Sequence, residues 1–181
     1  MINLKKYFNP ISIVAVFGLL YSTVFASDIP LTFHGSYARS ANTLEVYKKR
    51  YEEAKQSKKI VMTFWGDYAA STCTVEQFTQ RIDEIKSRKN ELVGTDWGIY
   101  AGSGKTVDDF IKRLDEIHAS KKGFPYIYAV YAASNRDLSL FMKRFEEIKS
   151  RDKNLMSVFG DYAGSKYTLD EFLKRLDEMK K

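Results

Sequence analysis

The sequence predicts an α/β protein: five tandem βα units forming an open, curved, mostly parallel sheet with helices on one face. Three observations predict it. One pattern recurs five times at intervals of 31 or 32 residues. The second half of each unit carries a helical apolar stripe. The first half is a short run rich in β-branched and aromatic residues, the composition of a strand. A compact doubly wound α/β sandwich is the alternative arrangement of the same elements.

The chain begins with a segment of a different kind. Residues 1–10 hold Lys5 and Lys6 and no acid, Ile11–Phe25 is an apolar run, and Val24-Phe25-Ala26 fits a small-residue cleavage site. This is the order of a secretory signal peptide, and the run is short for a spanning helix. The expectation is cleavage after Ala26, a secreted or periplasmic protein, and no stable membrane insertion afterwards. Losing Lys5 and Lys6 lowers the formal charge from +6 to +4.

The repeat fills everything that follows. Tyr37, Tyr68, Tyr100, Tyr131 and Tyr162 are each followed by Ala, and three positions on by Ser. Thirteen positions after each Tyr stands Arg (Arg50, Arg81, Arg113, Arg144, Arg175), and sixteen after stands Glu (Glu53, Glu84, Glu116, Glu147, Glu178). A single domain over 27–181 is expected, with units near 27–57, 58–88, 89–120, 121–151 and 152–181.

Within a unit the strand comes first: Ile60–Trp65, Leu92–Trp97, Pro125–Tyr128 and Leu155–Phe159. A Gly two positions before the Tyr (Ala129 in the fourth unit) allows a bend or a close approach. Thr43, Thr74, Thr106, Asp137 and Thr168 are N-cap residues, and Gln77, Asp109 and Glu171 approximate capping boxes. The helix that follows places apolar residues at the Tyr +7, +10, +14 and +17 positions, as in Leu169, Phe172, Leu176 and Met179. Five such units joined by right-handed crossovers give parallel strands.

Composition narrows function. One cysteine and two histidines leave no disulfide framework and no ordinary zinc site, so no metal and no cofactor are expected. Acids interleave with bases throughout, so no nucleic acid is expected as partner. The Arg column reads as structural, its stems packing beside the apolar stripe and its charge near the Glu column.

Two short stretches resemble known motifs. Ile99–Thr106, I-Y-A-G-S-G-K-T, resembles the phosphate loop of P-loop NTPases, which implies Lys105 and Thr106 on phosphate and Mg²⁺. Ile stands where that motif has its first Gly, and sister units carry A-A-S-T-C-T and A-G-S-K-Y-T at the same place. The run F-W-G-D-Y-A-A-S-T-C resembles the thioredoxin active-site segment, but its redox positions fall on Ala69 and Thr72. Both stretches read better as copies of one repeated turn.

The leading functional reading is an exported, non-enzymatic binding protein whose partner is an unknown protein or carbohydrate. Its candidate surface is the aromatic row His34, Trp65, Trp97, Tyr128 and Phe159, with Tyr68, Tyr100 and Tyr131 at the strand ends. Asp96 is irregular, a carboxylate where sister units have Phe, Ile or Val. The alternatives are a small exported hydrolase using Asp67, Asp96 and Asp161, and a self-associating scaffold forming a homo-oligomer.

Overall fold

The structure, a computed structural model, describes residues 29–88 and 94–180. It overturns the expected α/β fold. Among the described residues there is no strand and no sheet, so neither the open parallel sheet nor the doubly wound sandwich is present. Three of the four segments read as strands are 3₁₀ turns running into short α-helices; of the fourth, Leu92–Trp97, residues 92 and 93 lie outside the described residues and 94–97 open an α-helix. Ile60–Trp65 becomes the 3₁₀ turn Met62–Phe64 and the start of a helix, and Pro125–Tyr128 and Leu155–Phe159 behave alike. The expectation of βα repeats falls with the sheet, and each unit is two helices.

Ten α-helices are described. The short members of each pair are α1 (His34–Arg39), α3 (Trp65–Ala70), α5 (Gly94–Gly102), α7 (Tyr128–Ala133) and α9 (Phe159–Gly164). The long members are α2 (Leu44–Ser57), α4 (Val75–Ser87), α6 (Val107–Ser120), α8 (Leu138–Arg151) and α10 (Leu169–Glu178).

The long helices start where the sequence places them. Thr43, Thr74, Thr106, Asp137 and Thr168 each accept a backbone N–H from three residues on. Thr74 with Gln77 and Thr168 with Glu171 make complete capping boxes. The apolar stripe of each faces inward, as with Phe110, Leu114 and Ile117 of α6.

The short helices obey a helical period that a six-residue run barely displays. The residue four before the Tyr and the Tyr itself share one buried face, as Phe64 and Tyr68 do. The glycines are small because neighbouring short helices touch there. A Cβ on Gly66 would lie 2.3 Å from the Phe33 ring, and one on Gly98 would lie 2.6 Å from an Asp67 carboxylate oxygen. The close approach is therefore between helices rather than between helix and strand.

Packing closes the chain into a ring. α1 packs on α3, α3 on α5, α5 on α7, α7 on α9, and α9 on α1. Each long helix lies on the short helix of the next unit, and α10 lies on α1. Ile29 and Met179, near the two ends of the described chain, share one apolar cluster with Tyr37 and Tyr47. The molecule is a closed five-unit α-helical toroid, with the short helices as its inner wall. Because every unit repeats the same neighbour relation, residues at the same repeat position occupy one circle around the axis.

Candidate functional site

The repeated polar columns form the joints of the ring. From each long helix an Arg reaches the C-terminus of the next short helix, whose closing carbonyls have acceptor capacity left over for a capping side chain. Arg50, Arg81, Arg113, Arg144 and Arg175 donate to the Tyr carbonyl of the next unit at 3.0–3.1 Å. They also donate to the carbonyl five residues further on, at 2.5–2.7 Å. Each guanidinium sits 4.1–4.3 Å over the ring of that same Tyr. The Glu column completes the joint. Tyr37 donates its hydroxyl to Glu178 at 2.5 Å, Tyr100 to Glu84 at 2.7 Å and Tyr162 to Glu147 at 2.5 Å, and Tyr131 bonds Glu116 likewise. The Tyr68 hydroxyl faces Glu53 in the same way, outside hydrogen-bond geometry. Desolvation by burial and the Glu acceptor push the Tyr37 and Tyr131 hydroxyls up to about 12. The Arg column is structural, but its partners are carbonyls of the next unit.

The position five after the Tyr also reaches across each joint, and it accounts for both resembling motifs. Asn42 donates to the Ala69 carbonyl at 2.8 Å, and the Cys73 thiol to the Ala101 carbonyl at 3.5 Å. Lys105 donates to Asn135 at 2.7 Å, Arg136 to the Ser165 carbonyl, and Tyr167 to the Ser40 carbonyl. Lys105 and Cys73 thus occupy one repeated joint position.

The predicted aromatic row lies within the wall of the ring. Tyr68, Tyr100 and Tyr131 are fully buried, and His34 and Phe159 are buried. His34 faces the Ile29 carbonyl at 3.3 Å, and desolvation lowers its pKa. Trp65, Trp97 and Tyr128 are half-buried. Trp65 donates to the Ile60 carbonyl at 2.9 Å and packs edge-on against Tyr51. Lys86 stands over Trp97, Tyr128 packs against His118, and Phe159 against Phe145. The row seals short helices against the long helices before them.

The three candidate carboxylates have different fates. Asp67 and Asp161 meet at the hub of the ring, on either side of Arg39, which sequence reasoning missed. Arg39 Nη2 donates to Asp67 Oδ1 at 2.9 Å, and its Nε lies 2.8 Å from Asp161 Oδ1 in a charge contact without hydrogen-bond geometry. The acid side chains are only 11% and 17% exposed. A signal was available, since Arg39 stands two after its Tyr, where sister units carry Ala70, Gly102, Ala133 and Gly164. Desolvation pushes Asp67 up to about 7 against the pull of Arg39, and desolvation raises Asp161 as well. Asp67 lies over Gly98 and Asp161 over Gly35, so inner helices cover both carboxylates. One guanidinium with two acids on different neighbours is an ion-pair clasp that fixes which units flank the first.

Asp96 belongs to the circle that presses on the next unit's glycine, as Phe33 presses on Gly66 and Phe64 on Gly98. The unit after Asp96 is the one with Ala129 in place of that glycine. A residue smaller than Phe thus stands at the position that would face the added methyl. Desolvation raises Asp96 to about 6, with His118 opposing.

Among the described residues, no cluster of His, Cys, Asp and Glu could hold a metal ion, and no helix is long and apolar enough to cross a membrane. A groove of about 420 Å³ lies between Ile60, Val61 and Phe64 and helix α4. The fifth unit has an equivalent groove by Leu155 and Leu176.

Exposed apolar side chains gather where long helices hand over to short ones. Leu31 is 67% exposed, Met62 64%, Phe124 48% and Met156 59%. They stand six or seven residues before the Tyr of their units, so they share one rim of the toroid. Comparisons were made with protein-family models, curated proteins and solved structures. None matches.

Proposed function

We propose that this chain is an exported, non-enzymatic binding protein whose working surface is the rim carrying Leu31, Met62, Phe124 and Met156. The observation behind this reading is a division of labour within the repeat. The Arg, Glu, Tyr and Ser columns are spent on joints between units, and five of the seven exposed large apolar residues among the described ones (Leu31, Val61, Met62, Phe124 and Met156) stand in the handover segments, with Val46 and Leu140 at the starts of long helices instead. Apolar groups exposed together on a soluble surface mark an interaction site. The export segment itself, residues 1–26, lies outside the described residues, so secretion rests on the order of charges and apolar residues given above. Within the aromatic row His34 and Phe159 are buried and Trp65, Trp97 and Tyr128 half-buried against neighbouring elements, so the rim presents the more exposed apolar surface.

The test is photo-crosslinking on intact cells that make the protein. A photo-reactive side chain at Met62 or Phe124 is expected to give discrete adducts. The same group at Thr72, exposed past the C-terminal end of the short helix that Met62 precedes, is expected to give none. Equal adducts from both places, or none from the rim, would remove this reading.

A further inference from the structure

We infer that the rim docks on an anionic lipid bilayer surface, lying flat with its apolar side chains at the headgroup boundary. The inference rests on the rim reading above and names its partner. The handover loops that carry the apolar residues also carry exposed lysines: Lys58, Lys121, Lys122 and Lys153. Among the described residues none of these four meets a carboxylate within 4 Å, whereas Lys59 and Arg88 of the same loops pair with Glu76 and Asp108. Among the described residues of these loops the one acid, Asp152, accepts the Asn154 backbone N–H. Apolar protrusions ringed by unpaired cations match a surface that is negative outside and apolar beneath.

Geometry favours a surface over a groove-bound segment. The apolar groups come from different units around one circle, so a planar partner reaches all of them at once. A peptide laid in one groove reaches one or two. The chain also enters the ring at this rim, through Ile29, Pro30 and Leu31, directly after the apolar run that the sequence reads as an export signal.

The ring closes within residues 29–179, so the chain from Ser27 onward is the protein to use. It is sedimented with vesicles of phosphatidylcholine, with and without a quarter of phosphatidylglycerol, at low and high salt. Wild type is expected to bind the anionic vesicles, to release at high salt, and to ignore the neutral ones. The quadruple variant Leu31→Ser, Met62→Ser, Phe124→Ser, Met156→Ser should lose at least about tenfold in binding, as should Lys58→Glu, Lys121→Glu, Lys122→Glu, Lys153→Glu. All eight sites are exposed, and unchanged circular dichroism confirms that the ring is intact. Absent binding, binding indifferent to phosphatidylglycerol, or variants that bind as wild type would each overturn the inference. So would a wild-type dimer in sedimentation that the apolar variant abolishes while vesicles stay unbound, which would assign the rim to a second copy. Rim-specific protein adducts on intact cells, with no vesicle binding, would leave the binding function standing and remove the lipid.

Discussion

Replacing Arg175 by Ala tests whether the ring is closed. In an open array the last unit has no successor, and the residue would cap nothing. In this toroid Arg175 donates to the carbonyls of Tyr37, Ala38, Ser40 and Asn42 at 2.7–3.2 Å, and stands 4.3 Å over the Tyr37 ring. Charged hydrogen bonds contribute about 1.5–3 kcal/mol each, but two of these are long and water reaches part of the vacated surface. The cation–π contact adds about 1 kcal/mol. A net loss of about 3–5 kcal/mol is expected. For a chain of this size that lowers the melting temperature by roughly 8–15 °C. Arg81→Ala, at an internal joint, should lose a similar amount, since Arg81 makes the equivalent bonds to Tyr100, Ala101 and Lys105. The assay is urea and thermal unfolding of both variants by circular dichroism. If Arg175→Ala loses under about 1 kcal/mol while Arg81→Ala loses several, the first and last units are not joined and the reasoning fails.

Other outcomes follow from the same geometry. Tyr100→Phe should lose about 1–2 kcal/mol through its bond to Glu84, and Tyr68→Phe, whose hydroxyl makes no such bond, close to none; equal losses in unfolding experiments would contradict the assignment. Asp67 is pushed up to about 7 in the folded ring from an ordinary 3.8, so the folded state holds more protons between those values. Its contribution is fully present below about pH 4 and lost as pH rises through 7, so Asp67→Asn should flatten the fall in melting temperature between pH 5 and pH 8, and an unchanged slope counts against it. Gly35→Ala places a Cβ 2.1 Å from an Asp161 oxygen and must push that carboxylate off Arg39. It should destabilise by about 1–3 kcal/mol despite the better helix former, as read by denaturant midpoint.

The columns that build the joints were legible in the sequence; their partners across the joints and the architecture were not. The recurring columns, the N-caps and the apolar face of each long helix follow from spacing alone. The short helices were misread because a run such as Val61–Trp65 spans about one helical turn. Its β-branched and aromatic content then outweighs a period too short to register. Closure depends on contact between the first and last units, which no local pattern encodes. The sequence did hold one indirect sign: the fifth unit keeps Arg175 and Glu178, whose sister residues act only on a following unit. Open arrays end in altered, polar capping units, whereas the fifth unit keeps the same Tyr, Ser, Arg and Glu columns as the other four. At the hub, Asp67 and Asp161 were singled out as chemistry. Their shared cation, Arg39, went unnoticed because it breaks a column of small residues rather than joining a conspicuous one.

The meeting of Ile29 with Met179 has a consequence for how the chain is written. Start and finish lie side by side, so the order of units is a cycle cut at one arbitrary joint. A permuted gene that links the native ends and opens between Lys121 and Gly123 should encode the same molecule. The same cycle restrains evolution by duplication: a linear array can gain or lose a unit at its end, whereas this one has no end at which to count.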